Sequence, residues 1–147
     1  MIATAESCTG GLISGALTEI SGSSDVVDRG FVTYTNAAKS EMLGVDGDLI
    51  KKLGAVSSEV AECMANGALK HSNAQIAIAV TGVAGPNQSE NKPAGLVYFG
   101  CAGFGQDTIV DHKNFIGDRH EVRQQTVCHA LDLAILMADK LALTSAK

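Results

Sequence analysis

A chain of 147 residues with 46 % hydrophobic and 18 % charged residues has the make-up of one globular domain, residues 1–147, rather than of a disordered segment. Its net charge of −5 excludes the basic stripe of a dedicated nucleic-acid binder, though one arginine and a few backbone amides can still hold a small anion. With no tryptophan and 4 % aromatic residues, the interior must be built from Val, Ile, Leu and Ala. No apolar run is long enough to span a bilayer, and Met1–Ala5 has no basic region ahead of it, so neither a membrane partner nor a signal peptide is expected. Cys8, Cys63, Cys101 and Cys128 form no Cys-x-x-Cys pair and have no histidine at zinc-ligand spacing. They read as buried free thiols of a reducing, cytoplasmic compartment, with no metal site.

In chain order, Ile2–Ala5 reads as the tail of a strand. It runs into the small-residue turn Glu6-Ser7-Cys8-Thr9-Gly10-Gly11 and a helix with Leu12, Ile13, Ala16, Leu17 and Ile20 at helical spacing. Ser21-Gly22-Ser23-Ser24 breaks that helix, and Val26–Thr35 is extended, with Phe31-Val32-Thr33-Tyr34 at its centre. Asn36 is placed as the N-cap of a short helix through Leu43. Asp46–Leu53 is a second short helix closed by Gly54, and Ser57 caps a third that buries Val60, Met64 and Ala68. Ile76–Val80 is a fully apolar, buried strand that breaks at Thr81-Gly82-Val83-Ala84-Gly85-Pro86. After the polar loop Asn87–Pro93, Gly95–Cys101 and Thr108–Phe115 form a hairpin through Gly103-Phe104-Gly105. Asp118 and Glu121 make a capping box for a last helix that buries Val122, Val127, Leu131, Ala134, Ile135 and Ala138 and frays from Leu143 to Lys147. Early alternation of strand and helix followed by two adjacent strands predicts a mixed sheet with helices on both faces.

Four stretches carry the polar chemistry. At Ser7–Gly11 a strand end turns into a helix N-terminus, whose free amides and dipole suit an anion, while a packing turn capped by Ser7 or Thr9 explains the residues as well. Ser23-Ser24 is followed by Tyr34 and Lys39; a serine needs a base, and a lysine is one only when its pKa is pushed down. On physics alone a solvent-exposed side chain beside an edge strand is the favoured reading of Lys39. Thr81 and Gly82 follow the most apolar strand, where open α/β sheets bind ligands. Arg119 and Arg123 lie in the first turns of the last helix and need an anion, supplied by Asp118, Glu121 or a ligand phosphate. Cys8 at a helix start is a possible nucleophile without a local histidine. His71, His112, His120 and His129 have no catalytic spacing.

Thr4–Gly11, Gly22-Ser23-Ser24, Arg29–Tyr34, Asn36 with Lys39, Gly54-Ala55-Val56-Ser57, Thr81–Pro86, Lys92-Pro93 and Gly117-Asp118-Arg119 occur in this order along almost the whole chain. The set resembles the nicotinamide mononucleotide deamidase family, the CinA C-terminal domain. That resemblance implies a three-layer α/β/α sandwich with a mixed sheet. It implies hydrolysis of the carboxamide of nicotinamide mononucleotide to nicotinate mononucleotide and ammonia, without metal or cofactor, in a homo-oligomer of two or more chains. It also implies Ser24 as nucleophile, Lys39 as general base and Tyr34 in support. Ser7, Thr9, Gly10, Thr81, Gly82 and Arg119 are implied to bind substrate. Whether the Ser7–Gly10 turn or Ser24 supplies the oxyanion amides, and which turn takes the phosphate, stays open.

The chain departs from the family pattern twice. The helix and the start of the first strand that precede Thr-Ala-Glu-Ser in the family are missing, which predicts exposed apolar surface. The loop Pro86–Pro93 is one residue shorter and lacks the family's Gly-Gly pair. These departures motivate a rival reading, a non-catalytic nucleotide-binding or regulatory module on a degenerate amidase fold. A Cys8 amidase and a purely structural oligomerisation domain are the other two.

Overall fold

The most apolar stretch of the chain, Ile76–Gly82 (β3), is the middle of a five-stranded sheet with β1 (Ile2–Glu6) on one side and β4 (Leu96–Gly103) on the other. β2 (Val27–Val32) and β5 (Ile109–Asn114) form the edges, in the order β2-β1-β3-β4-β5. β1 runs parallel to both β2 and β3, and β4 runs antiparallel to both β3 and β5. These relationships come from a computed structural model that describes residues 1–145.

Alternation along β3 builds two cores. Ala77 and Ala79 face α4 (Ser58–Lys70), with α2 (Asn36–Leu43) and α3 (Gly47–Leu53) beside it, and Val60, Met64, Leu43 and Ile50 fill that side. Ile78 and Val80 face the opposite layer, α1 (Leu12–Thr18) and α5 (Arg119–Ser145), and pack with Ile13, Phe99, Val122 and Met137. The result is the expected α/β/α sandwich with a mixed sheet. Each fully buried aliphatic side chain contributes about 1.5–3 kcal/mol. Alanines on the first face let α4 lie close to the sheet. At Gly67 the backbone of α4 touches α2 so closely that a Cβ would overlap the Leu43 carbonyl.

Helix starts follow local chemistry. Thr35, not Asn36, caps α2: its hydroxyl accepts from Ala38 N, and Asn36 is already the first helical residue. Asp46 caps α3 and Ser57 caps α4. Asp118 and Glu121 form the reciprocal capping box, Glu121 N donating to Asp118 Oδ1 (2.9 Å) and Asp118 N to Glu121 Oε2 (2.7 Å).

Several expectations are corrected. α1 stops at Thr18, which leaves Ile20 in solvent, and β3 continues through Thr81 and Gly82 because β4 pairs with it that far. Ile135 and Ala138 are exposed, not buried, and with Val26 and Leu17 they line an apolar groove between α1 and α5. Nothing from another layer covers that part of α5 among the described residues. α5 stays helical through Ser145, so no fraying starts at Leu143; residues 146 and 147 lie outside the described residues. All four cysteines are free, but only Cys8 and Cys101 are buried, Cys63 being half-buried and Cys128 exposed. Among the described residues no helix is long and apolar enough to cross a membrane.

Candidate active site

The carboxyl ends of β1, β2 and β3 open into a cleft of about 260 Å³. Ser7 leaves the end of β1, Lys39 enters from α2, and Thr81 and Gly82 close the end of β3. Tyr34 and Arg119 stand at the rim, and Val56, Val83 and Ala84 give an apolar wall.

The decisive contact is Lys39 Nζ to Ser7 Oγ, 3.0 Å. Nζ also donates to the Thr33 carbonyl at 2.8 Å. Lys39 is 1 % exposed and has no carboxylate within ion-pair distance among the described residues. Burial without a counter-ion lowers its pKa below the usual lysine value, with the neighbouring Cys8 and Glu90 opposing in part. A lysine so placed loses its proton more readily than an exposed one, and its nitrogen lies within hydrogen-bond reach of a serine hydroxyl.

The α1 N-terminus, which the sequence left open between an anion site and a packing turn, is already filled from within. Glu6, wholly buried, accepts from Thr9 Oγ1 (2.7 Å), Ile13 N (2.8 Å) and Gly11 N (3.2 Å) through Oε1. Its Oε2 accepts from Ser14 N (3.0 Å) and Thr4 Oγ1 (3.3 Å). A carboxylate at a helix N-terminus satisfies amides that would otherwise be orphaned. Thr9 and Gly10 accordingly do not line the cleft: Thr9 is buried against Glu6, and Gly10 sits outside with φ +59°.

Ser24 is not brought to Lys39. It lies on a single 3-10 turn (Ser23–Asp25) before β2, while Lys39 follows β2. Because β2 runs parallel to β1 with Val27 beside Ile2 and Val32 beside Glu6, Ser24 is at the amino end of the sheet and Ser7 at the carboxyl end. Six strand residues at about 3.3 Å each separate the two ends. The serine that the resemblance implies as nucleophile thus lies at the end of the sheet opposite to Lys39.

Of the remaining candidates, Thr81 Oγ1 is committed to the Ala55 carbonyl (2.8 Å). Gly82 lines the cleft where β4 passes so close that a Cβ would meet Val97. Tyr34 lines the cleft, but its hydroxyl accepts from Arg119 Nη2 (3.1 Å) and reaches neither Ser7 nor Lys39. Arg119 Nη1 donates to the Gly85 carbonyl (2.7 Å), so neither carboxylate of the capping box neutralises it. The Asn87–Lys92 loop is strapped to the cleft wall: the Glu90 carboxylate accepts from Ala55 N and Val56 N (3.0 Å each), and Lys92 Nζ donates to the Leu53 (2.9 Å) and Val56 carbonyls. Cys8 lines the cleft beside Ser7, yet burial pushes its thiol up to about 11, so it is protonated at neutral pH and unfit as a nucleophile.

The sequence profile of the CinA C-terminal domain matches residues 1–137. The chain belongs to the CinA C-terminal domain family. A family relative from Enterobacter agglomerans, the nicotinamide-nucleotide amidohydrolase PncC, is 47 % identical over 135 residues, covering 91 % of this chain and 82 % of the relative. A CinA-like protein of Trichormus variabilis is 47 % identical over 135 residues, but these are 32 % of its length against 90 % of this chain. The crystal structure of the competence/damage inducible protein CihA from Agrobacterium tumefaciens superposes with a TM-score of 0.91 at 51 % identity, covering 94 % of this chain and 85 % of that one.

Two residues that shape the CinA-type site here, Glu6 and Arg123, were not singled out for that work by sequence reasoning. For Glu6 the sequence shows only a carboxylate at the end of an apolar strand ahead of a helix start, where Thr9 and Gly11 prove to be among its donors. Arg123 reaches back from α5 to the carbonyls of Cys8 and Thr9, a contact between residues more than a hundred positions apart that no local pattern announces.

Proposed function

We propose that this chain is a nicotinamide-nucleotide amidohydrolase in which Ser7 is the nucleophile and Lys39 its general base. The observation that carries the proposal is the 3.0 Å contact between Lys39 Nζ and Ser7 Oγ in a cleft at the carboxyl ends of the strands. The printed activity of the PncC relative supports the choice of substrate.

The chemistry follows from the groups in place. Neutral Lys39 takes the Ser7 hydroxyl proton as Oγ attacks the carboxamide carbon, while an N–H of the amine stays on the Thr33 carbonyl and fixes its direction. The C–N bond breaks as Lys39 hands that proton to the departing nitrogen, releasing ammonia. Water, deprotonated by Lys39, then cleaves the acyl ester and regenerates Ser7. The cleft is smaller than the roughly 300–1,000 Å³ typical of sites that enclose a whole ligand. It suits the pyridine carboxamide against Val56, Val83 and Ala84, with the ribose phosphate crossing the open rim. Because Glu6 occupies the α1 amides, the phosphate falls to Arg119.

Ammonia release from nicotinamide mononucleotide tests the proposal. The wild-type chain is expected to deamidate it, Ser7→Ala to be inactive and Ser24→Ala to be active. A wild-type chain that binds the nucleotide without releasing ammonia would support the non-catalytic reading instead.

A further inference from the structure

Two consecutive peptide groups next to Ser7 are held by their oxygens and free at their nitrogens. The Ser7 carbonyl accepts from Gly10 N (3.1 Å), and the Cys8 carbonyl accepts from Arg123 Nε (3.1 Å). The Thr9 carbonyl takes both Leu12 N (3.1 Å) and Arg123 Nη2 (3.2 Å). In a trans peptide the N–H points opposite to the C=O. The Cys8 N–H is therefore directed away from the Gly10 side of the turn, and the Thr9 N–H away from Arg123. Among the described residues no protein oxygen accepts from either amide, although Cys8 and Thr9 are both buried. Buried amides are normally paired. The rest of the turn is satisfied: Gly11, Ile13 and Ser14 give their amides to Glu6, and Ser7 N goes to the Val80 carbonyl.

We infer that Arg123 is a positioning residue: its guanidinium grips the Cys8 and Thr9 carbonyls and so holds the turn that follows Ser7, keeping the cleft-lining Cys8 amide beside Ser7 as a donor to the oxyanion of the reaction. This rests on Ser7 being the nucleophile. A planar guanidinium is suited to the task because two of its nitrogens reach two carbonyls at a fixed spacing, which a single ammonium cannot do. Arg123 acts from α5, so the turn that carries this donor is braced by a helix on its far side and requires no rearrangement when charge develops. Preorganised donors of this kind stabilise the tetrahedral state and leave the flat amide of the bound substrate almost untouched.

The test compares wild type with Arg123→Lys and Arg123→Met in the full chain. It measures kcat and KM on nicotinamide mononucleotide, Kd for the product nicotinate mononucleotide, inhibition by pyridine-3-boronic acid (whose boron becomes tetrahedral on a serine oxygen) and thermal unfolding. Both variants are expected to lose ~10–100-fold in kcat, less than deletion of an oxyanion donor costs. KM and product Kd should stay within about threefold, and the boronate should weaken in step with kcat/KM. Arg123→Lys should melt close to wild type while remaining slow. Wild-type kcat in either variant, or equal weakening of boronate and product, would overturn the inference. Full activity in Ser7→Ala would instead remove the reading on which it rests.

Discussion

Lys39 Nζ and Ser7 Oγ, 32 positions apart in the chain, meet at 3.0 Å because β1 and β2 are parallel neighbours that deliver the Ser7 turn and α2 to the same end of the sheet. The serine that the sequence motif singled out sits at the other end. Exchanging the two roles is therefore the first consequence to measure. Ser7→Ala and Lys39→Met are each expected to lower kcat by ~10³-fold or more, as for paired nucleophile and base elsewhere, without additive loss in the double variant. Ser24→Ala should stay within about twofold of wild type, being exposed and outside the cleft. Steady-state ammonia release checks all four proteins.

The pH dependence follows from burial of Lys39, which lowers its pKa below the usual 10.5. Only the neutral amine can accept the Ser7 proton, so kcat/KM should rise with pH along a limb whose midpoint lies below 10.5. Stability moves the same way. The unfolded chain binds the Lys39 proton at pH values where the folded chain has lost it, so stability gained from this group rises with pH between the lowered pKa and 10.5. The destabilisation caused by burying the charge is complete below the lowered pKa and gone above 10.5. Lys39→Met should therefore melt higher than wild type at neutral pH, with the gap closing toward pH 10.5. Calorimetry across that range measures it.

Cys8 lies beside the nucleophile but holds its proton, its thiol being raised to about 11 by burial. Cys8→Ala should keep kcat within a few-fold of wild type, and iodoacetamide at neutral pH should leave wild-type activity largely intact, since the Cys8 thiol reacts slowly. Peptide mapping after iodoacetamide should find Cys128, which is exposed, modified well before Cys8.

Arg119 bridges the Gly85 carbonyl and the Tyr34 hydroxyl at the rim of the cleft. If it receives the phosphate, Arg119→Ala removes a charge-assisted contact of about 1.5–3 kcal/mol, raising KM by ~10–100-fold with a smaller change in kcat. Tyr34→Phe should reproduce only a fraction of that change, because it removes a bond to Arg119 and none to Ser7 or Lys39. Kinetics on the nucleotide and on its riboside without phosphate separate the two effects: the Arg119→Ala penalty should vanish on the riboside.

α2 carries Lys39 and is seated on α4 through the bare backbone of Gly67 against the Leu43 carbonyl. Gly67→Ala should push the two helices apart. It is expected to cost about 1–3 kcal/mol of stability, as overpacking does, and to lower kcat by displacing the amine from Ser7. Denaturant unfolding paired with activity at a temperature where the variant is folded reads both.

Much of this architecture was legible because its signals are local. The apolar run Ile76–Val80, the caps Ser57 and Asp46, the Asp118–Glu121 capping box and the β4–β5 hairpin all announce themselves within a few residues. The cleft was legible in part. Of the residues singled out, Ser7, Thr81, Gly82, Tyr34, Lys39 and Arg119 line it, whereas Ser24, Thr9 and Gly10 do not. Ser24 came from the family resemblance, and only the parallel pairing of β1 with β2 shows that its turn lies at the opposite end of the sheet from Lys39. Glu6 escaped for a related reason. Its target amides lie within eight residues, yet a carboxylate pointing inward along a helix start looks, in sequence, the same as one pointing to water. Ile135 and Ala138 were placed in the core by helical period alone, which cannot show that the neighbouring α1 ends too early to cover them.

Trapping the acyl-enzyme tests the central claim most directly. Wild-type protein quenched in acid during turnover of nicotinamide mononucleotide, digested and sequenced by mass spectrometry should carry the nicotinate mononucleotide acyl group as an ester on Ser7. An adduct on Ser24 or Cys8 instead would contradict the account.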